Sequence, residues 1–211
     1  MNDVRRFGLK LHFSDPARAE LELESIKLRM QHWIRDRRLG DAVIIDVADY
    51  RHVRLGTRLI LVGHEEQYLI EDDDGTLALR YVDLVRGQPL DGERLRRGAR
   101  RLLAAASALE TDLGLSFEAR RLTLGVDDRL VASRAELALS RVIEDAIASV
   151  FQAFAPHLVR SSAGATDGGM FRTTYELATV SVSELSSALD ESPTSAPARR
   201  RLPLQVRSAS H

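Results

Sequence analysis

The chain has 211 residues, a formal net charge of -1 at pH 7 and no cysteine, which excludes disulfides, thiolate metal sites and cysteine nucleophiles. It lacks an uncharged apolar run of about 18 residues and an apolar secretory signal, so we expect a cytoplasmic protein without a membrane span. The near-zero charge argues against a general affinity for nucleic acid, and an apolar content of 44% is typical of a packed globular core.

A strand and a helix are predicted first along the chain. Residues 5–13 alternate apolar and polar side chains, which is the pattern of a half-buried strand. Asp15 followed by Pro16 resembles a helix start. From Leu23 onward the apolar residues follow a helical period, and Gly40 is predicted to end this helix.

Three strands are predicted next. The segment "AVIIDVADY" (42–50) is rich in β-branched residues and is predicted to be a strand buried on both faces near its start. The segment "TRLILVG" (57–63) is the second strand, which "QYLIE" (67–71) continues beyond a break. "DDDG" (72–75) predicts a hairpin turn, after which "TLALRYVDL" (76–84) returns antiparallel. Together these segments predict a three-stranded meander.

A long helix and a second hairpin are predicted after the meander. Asp91 opens a helix over roughly 92–113, and Gly114 follows its end. Residues 116–126 are predicted to form a strand, and after a turn residues 130–132 pair back onto it. Since the helix carries a regular leucine and alanine stripe, it is expected to pack on the sheet.

Another amphipathic helix and two strands complete the predicted domain. Ser133 begins a capping box, and the apolar residues that follow form one broad stripe as far as Phe154. Two strands are predicted at 157–162 and 170–180, around the Gly-rich loop "AGATDGG". No helix follows this loop, so it does not match a phosphate-binding loop.

The order of these elements predicts an α+β fold. Hairpins outnumber the possible crossover units, so we expect a mainly antiparallel sheet that is covered on one face by about three amphipathic helices. One curved sheet or two small sheets would both satisfy the pattern. Residues 1–182 are predicted to form a single domain. Residues 183–211 are rich in Ser, Ala, Pro and Arg and are predicted to be a disordered tail.

Acidic residues and histidines crowd into "DVADYRHVRLGTRLILVGHEEQY" (46–68). If its two strands were neighbours, side chains on a shared side would converge, and a histidine–carboxylate set would suit a divalent metal that activates water. The candidate metal ligands are Asp46, Asp49, His52, His64 and Glu65. "HEEQY" lacks the second histidine of the zinc-protease motif. The favoured alternative is that polar residues at strand ends form local hydrogen bonds.

The helix over 92–113 carries a second candidate site. Arg94, Arg97 and Arg101 lie on one face by helical spacing, so they are candidates for binding an anion, such as an acidic partner or the phosphates of a nucleic acid. No aromatic residues interleave with them, so base stacking is not supported. The favoured alternative is a solvated face opposite the leucine stripe.

The blocks "DVADYRHV", "LILVGHEEQYLIE" and "DGTLALRY", together with "HWI" (32–34) and "DRLVAS" (128–133), resemble a group of uncharacterised bacterial proteins. The resemblance covers most of residues 7–155 and none of the predicted tail. It implies a bacterial cytoplasmic protein, and it transfers no named function, fold or catalytic residue to individual positions.

The leading functional interpretation is a non-enzymatic module that binds a protein partner, or itself, in an assembly or accessory role. The apolar stripes of the three predicted helices favour this interpretation, and the sequence contains no recognisable arrangement of nucleophile and base. The alternatives are a metal-dependent hydrolase at the Asp46–Glu65 candidates and anion or nucleic-acid binding at the arginines. An enzyme requires a concave pocket with convergent side chains, whereas a binding module requires an exposed apolar patch. Whether the chain is an enzyme stays open, and no cofactor is predicted apart from that divalent metal.

Overall fold

The computed structural model describes residues 6–53, 56–73, 75–85, 88, 90–126, 141, 143–147, 150, 159–165, 171–177 and 181–191. The strands are β1 (Phe7–Phe13), β2 (Ile44–Asp49), β3 (Gly56–Gly63), β4 (Glu66–Asp73), β5 (Thr76–Asp83), β6 (Phe117–Val126), β7 (Val159–Ala165) and β8 (Phe171–Glu176). The helices are α1 (Pro16–Leu21), α2 (Leu23–Asp36), α3 (Gly92–Leu113) and α4 (Val182–Glu191).

The strands form one sheet in the order β2-β3-β4-β5-β1-β6-β8-β7. Every neighbouring pair of strands is antiparallel. The predicted α+β class is therefore confirmed, with a single sheet rather than two. The helices cover one face of this sheet, and the buried residues of sheet and helices form one hydrophobic core.

β1 lies between β5 and β6 and is buried along its whole length. The apolar residues at its odd-numbered positions belong to the hydrophobic core, as predicted. On the opposite face Lys10 is buried too, and its ammonium nitrogen lies 2.5 Å from a carboxylate oxygen of Glu71. The prediction of a half-buried strand is therefore wrong, because side chains of β4 and β5, Glu71 and Arg80 among them, cover the second face of β1.

The first predicted helix is divided into α1 and α2 at Glu22. α1 begins as predicted, since the carboxylate of Asp15 accepts the backbone N–H of Arg18 at 3.0 Å. α2 ends at Asp36, and Arg37 follows it in the left-handed region with a φ of 50°. The predicted end at Gly40 is therefore wrong by one turn.

β3 and β4 form a hairpin, so the prediction that 67–71 continues the strand 57–63 is wrong. The chain turns back at His64 and Glu65, and four strands rather than three make up the meander. A Cβ atom on Gly63 would lie 2.6 Å from the backbone oxygen of Glu66, a distance that side chains do not tolerate. Glycine at this position therefore permits the tight return of the chain.

β2 is an edge strand with β3 as its one neighbour in the sheet. Its side chains are exposed or partly exposed throughout. The prediction that this strand is buried on both faces near its start is therefore wrong. A β-branched run is typical of central strands, but composition does not determine the position of a strand within a sheet.

α3 occupies the predicted range and has the predicted caps. The carboxylate of Asp91 accepts the backbone N–H of Arg94 at 2.9 Å, and Gly114 has a left-handed φ of 61°. The leucines and alanines of its stripe are buried. Within the described part of the chain, no helix is long and apolar enough to cross a membrane.

α4 corrects the predicted boundary of the tail at residue 183. Leu185 and Leu189 are buried in the core. Arg100 of α3 donates to the backbone oxygen of Leu189 and to the carboxylate of Asp190, each at 3.0 Å. Residues 183–191 are therefore part of the fold, because their two leucines recur at helical spacing on one buried face. Residues 192–211 lie outside the described residues.

The remaining predicted elements are partly described. Residues 141, 143–147 and 150 are helical, and their buried members Ile143, Ala146, Ile147 and Val150 belong to the predicted stripe. The strands predicted at 157–162 and 170–180 correspond to β7 and β8, although β7 extends into the predicted glycine-rich loop. The strand predicted at 130–132 and the capping box at Ser133 lie outside the described residues.

Candidate functional site

The arginines of α3 turn towards the sheet and bind carboxylates of the protein itself. Arg94 is buried, and its guanidinium lies 2.6 Å from the carboxylate of Asp83, which is fully buried at the end of β5. Arg97 donates to the other oxygen of Asp83 at 3.2 Å. Arg96 is buried as well, so the predicted solvated face is wrong for Arg94 and Arg96.

A second buried carboxylate, that of Glu66, lies beside the first. Glu66 is the cross-strand neighbour of Asp83, and two like charges in this position repel each other. The hydroxyl groups of Tyr68 and Tyr81 donate to Glu66 at 3.0 and 3.5 Å. The guanidinium of Arg101 lies 3.5 Å from Glu66. We call Glu66, Asp83, Arg94, Arg97 and Arg101 the arginine–carboxylate cluster.

The three candidate arginines are thus brought together, and each has an acidic partner within the protein. The backbone oxygens of Val85 and Gln88 also accept hydrogen bonds from Arg94, at 2.7 and 2.6 Å. The guanidinium carbon of Arg94 lies 5.4 Å from the centre of the Phe7 ring. Arg94 and Arg101 form a tie between α3 and the sheet, because protein groups occupy the donors that an external anion would need.

Glu66 should give the folding stability a recognisable pH dependence. Burial raises the pKa of Glu66 above its ordinary value of 4.5, and the Asp41 carboxylate adds to this, whereas Arg101, Tyr68 and Tyr81 oppose it. The native state therefore holds this proton to higher pH than the unfolded chain does. The resulting stabilisation is full below the unfolded-state pKa and is lost as the pH rises through the native-state pKa.

We therefore expect Glu66→Gln to gain stability relative to the wild type as the pH rises above about 4.5, the ordinary value. Urea unfolding at several pH values would measure this difference. Glu71→Gln is the control of opposite sign. Burial acts to raise the pKa of Glu71, but Arg80 and Lys10 outweigh it and lower that pKa, so this variant should lose stability relative to the wild type as the pH rises towards about 4.5 and keep a constant deficit above it. Parallel profiles for Glu66→Gln and the wild type would contradict the expectation.

The structure does not bring the five candidate metal ligands together. His52 follows the end of β2, whereas His64 and Glu65 form the turn after β3, so they lie at opposite ends of the β2–β3 hairpin. Asp46 accepts the backbone N–H of Val47 at 2.7 Å. In the described ranges, no group of three or more acidic or histidine side chains is placed to hold a metal ion.

Asp49, the fifth metal candidate, belongs to an ion-pair network between α2 and β2. Its carboxylate lies 2.6 Å from Arg51 and 3.0 Å from Lys27. Arg51 also contacts Glu24 of α2 at 2.6 Å. Hydrogen bonds from Arg51 and Lys27 hold the pKa of Asp49 well below its usual range. The network fixes the far end of β2 against α2.

Exposed apolar side chains are concentrated around this edge strand. Val43 is 67% and Ile45 61% exposed, and Tyr50 and Val53 are exposed beyond the other end of β2. We call these four residues the β2 surface. Across the described residues, the other large exposed apolar side chains are Leu21 and Leu28. Single exposed apolar residues need no explanation, but four within eleven positions along one edge make the β2 surface the candidate binding surface.

A cleft opens beside the β2 surface. It has a volume of about 300 Å³ and lies between the end of α2 and the start of β2. The lining residues are Trp33, Ile34, Arg37, Leu39, Gly40, Asp41, Ala42, Val43 and Ile44. Because most of them are apolar, the cleft suits apolar groups, with one cation and one carboxylate at hand.

Comparisons with known proteins identify no family for this chain. No protein-family model matches the chain, and no curated protein matches it significantly.

Arg101 connects the arginine–carboxylate cluster with the cleft. Besides contacting Glu66, its guanidinium donates to the backbone oxygen of Leu39 and to the carboxylate of Asp41. A Cβ atom on Gly40 would lie 3.3 Å from the same guanidinium. The cluster therefore fixes the wall of the cleft and the start of β2.

The sequence predicted the arginines of the cluster but missed Asp83. A signal was present, because Leu77, Leu79 and Tyr81 alternate along the predicted strand 76–84 and so share one face, which Asp83 continues with a period of two. A carboxylate on a buried face requires a cation. The regular arginines of the next helix would have supplied the candidates.

Proposed function

We propose that the protein binds a partner protein through the β2 surface. The observation that carries the proposal is the concentration of Val43, Ile45, Tyr50 and Val53 at one edge of the sheet. Burying an exposed valine or isoleucine completely contributes roughly 1.5–3 kcal/mol. Two or three such side chains therefore supply part of the binding free energy of a specific contact, and the surrounding contact area supplies the rest, because association itself costs about 4–15 kcal/mol.

The contacts that hold this surface in place are also typical of a binding site. The Asp49 ion pairs fix one end of β2 to α2, and Arg101 holds the residues that precede its other end. A surface that is held in place before binding loses less conformational entropy when a partner docks. In the proposed function, the arginine–carboxylate cluster therefore has an architectural role, because it holds the binding surface in place.

Site-specific photocrosslinking in the source cells tests the proposal. A photoreactive phenylalanine analogue at Ile45 is expected to crosslink to a discrete partner protein. The same analogue at Leu21, which is 86% exposed on α1, is the matched control and should not. Val43→Asp should abolish the Ile45 crosslink while leaving the thermal midpoint within a few degrees, because Val43 is exposed.

Two results would contradict the proposal. Equal crosslinking at Ile45 and Leu21 would show that the β2 surface has no preference for a partner. A crosslink between two copies of this chain would show that the β2 surface serves self-association instead of binding a different protein. Sedimentation of the purified protein would verify that result.

A further inference from the structure

We infer that the occupant of the β2 surface is an acidic amphipathic helix of the partner, whose apolar side chains enter the cleft beside Trp33. This inference rests on the proposed function and names the class of partner. It follows from how the edge strand is blocked, from what the cleft accepts and from the charge at the rim of the cleft.

The backbone of β2 is poorly suited to pairing with a further strand. The register shifts between Ile44 and Asp46, so a β-bulge interrupts the edge at Ile45. Tyr50 donates its N–H to the backbone oxygen of Arg58 in β3 at 2.8 Å. In an antiparallel strand, the backbone N–H and C=O groups of successive residues point alternately towards one neighbour and the other. Since the N–H of Tyr50 points towards β3, the N–H of Val47 points outwards, away from the sheet.

The outward N–H of Val47 is already occupied, since the carboxylate of Asp46 accepts it at 2.7 Å. Bulges and charged side chains at an edge are the means by which proteins prevent strand addition. A partner therefore docks through side chains rather than by extending the sheet. Among the recurring modes of peptide recognition, a helix in an apolar groove meets this condition.

The cleft provides the groove that such a helix requires. Its walls include Trp33 and Ile34 from α2, and Val43 and Ile44 from the start of β2. A volume of about 300 Å³ is at the lower end of ligand pockets, which measure roughly 300–1,000 Å³. One or two aliphatic side chains of a partner helix fill such a space, and Val43 and Ile45 extend the apolar contact beyond it.

The charge at the rim favours an acidic helix. Arg37 lines the cleft and Arg38 follows it, and both are exposed. In the described part of the chain neither has an ion-pair partner, whereas their neighbour Arg35 is paired with Asp36. Asp41, the acidic residue on the same rim, is held by Arg101. The unpaired guanidinium of Arg37 at the cleft, with the exposed Arg38 next to it in the chain, therefore favours a partner that carries carboxylates beside its apolar stripe.

Binding of a model peptide to the purified full-length protein tests this inference. The probe is a helical peptide of roughly 18 residues with a leucine stripe and glutamate elsewhere, compared with a peptide of the same stripe and lysine elsewhere. Trp33 is the chain's one tryptophan, so its fluorescence reports directly on the cleft. We expect the glutamate peptide to shift the Trp33 emission and to bind about tenfold or more tightly than the lysine peptide.

Variants locate the contact. Arg37→Glu combined with Arg38→Glu should reverse the preference between the two peptides, since both residues are exposed and the change preserves the fold. Val43→Asp should weaken binding of the glutamate peptide about tenfold or more, while Leu21→Asp, at an exposed apolar residue away from the cleft, should leave it unchanged. Equal affinity for both peptides, or no binding, would overturn the inference.

Crosslinking separates the failure of this inference from that of the proposed function. A partner that crosslinks at Ile45 and is not displaced by the glutamate peptide would leave partner binding intact and exclude the acidic helix as the occupant. Loss of the crosslink in the presence of the glutamate peptide, but not the lysine peptide, is the expected result. Absence of any specific crosslink would remove the proposed function itself.

Discussion

Asp83→Asn is expected to lower the free energy of unfolding by about 3–5 kcal/mol, because it removes the counter-charge of a buried arginine. Asp83 is fully buried and contacts Arg94 at 2.6 Å, and Arg94 is itself only 3% exposed. The amide of asparagine would present donors to a guanidinium that needs acceptors. Chemical denaturation at neutral pH, with the slope of the transition checked for two-state behaviour, would measure the loss.

Asp190→Asn is the matched control for this variant. Asp190 also pairs with an arginine of α3, at 3.0 Å from Arg100, but both side chains are largely exposed. Exposed ion pairs contribute about 0–1 kcal/mol, so this substitution should have little effect. A loss of less than about 1 kcal/mol in Asp83→Asn, equal to that of the control, would show that the cluster is not a buried tie.

The Asp83→Asn variant loses stability for two reasons: the attraction to Arg94 is lost, and the charge of Arg94 stays buried without a partner. The double variant Asp83→Leu with Arg94→Met separates these two contributions, because it removes the buried charge as well. Replacing both members of a buried pair by apolar residues is often neutral or stabilising by about 1–4 kcal/mol relative to the pair. We therefore expect the double variant to be more stable than Asp83→Asn. It should fall short of full recovery, because Arg94 also serves the backbone oxygens of Val85 and Gln88.

Gly98→Val is expected to lower the free energy of unfolding by about 3 kcal/mol, which is the upper part of the range for overpacked cores. A Cβ atom at Gly98 would lie 2.9 Å from the ring of Tyr81 and 3.1 Å from that of Phe7. Both rings are buried in the centre of the sheet, so α3 would have to move outwards. This movement would also disturb Arg94 and Arg101, which lie within one turn of Gly98.

Ala104→Val is the control for the change in helix propensity. Ala104 is exposed on the same helix, so a β-branched residue there should cost less than about 1 kcal/mol. Gly98→Ala should fall between the two, because the gain in helix propensity of about 1 kcal/mol opposes the steric clash. A Gly98→Val variant that is as stable as Ala104→Val would show that α3 does not pack closely on Tyr81 and Phe7.

The proposed binding surface and the stability variants are separable in experiment. Val43, Ile45, Arg37 and Arg38 are exposed, so their substitution should alter partner binding with little change in stability. Asp83 and Gly98 are buried, and their substitution should alter stability first. Arg101 is the residue in which the two properties meet, because it contacts both Glu66 and the wall of the cleft.

Local sequence determined most of the elements. The alternation in β1, the caps at Asp15 and Asp91, the left-handed Gly114 and the stripe of α3 each depend on residues close in sequence. For the same reason the α+β class was predictable. The turn after Gly63, which was not predicted from the sequence, also depends on local contacts. A side chain at Gly63 would clash with the backbone oxygen of Glu66, only three residues further along the chain.

Tertiary structure alone decided which surfaces are buried and which polar groups meet. The β-branched residues of β2 predict a buried strand, but their exposure follows from its place at the edge of the sheet. The arginines of α3 have the spacing of a solvated face, but Arg94 and Arg101 turn towards the carboxylates that β4 and β5 place opposite them. Hydrophobic period and helix caps act over a few residues and can be read along the chain. Strand order and charge pairing join residues far apart in sequence, so only the folded chain determines them.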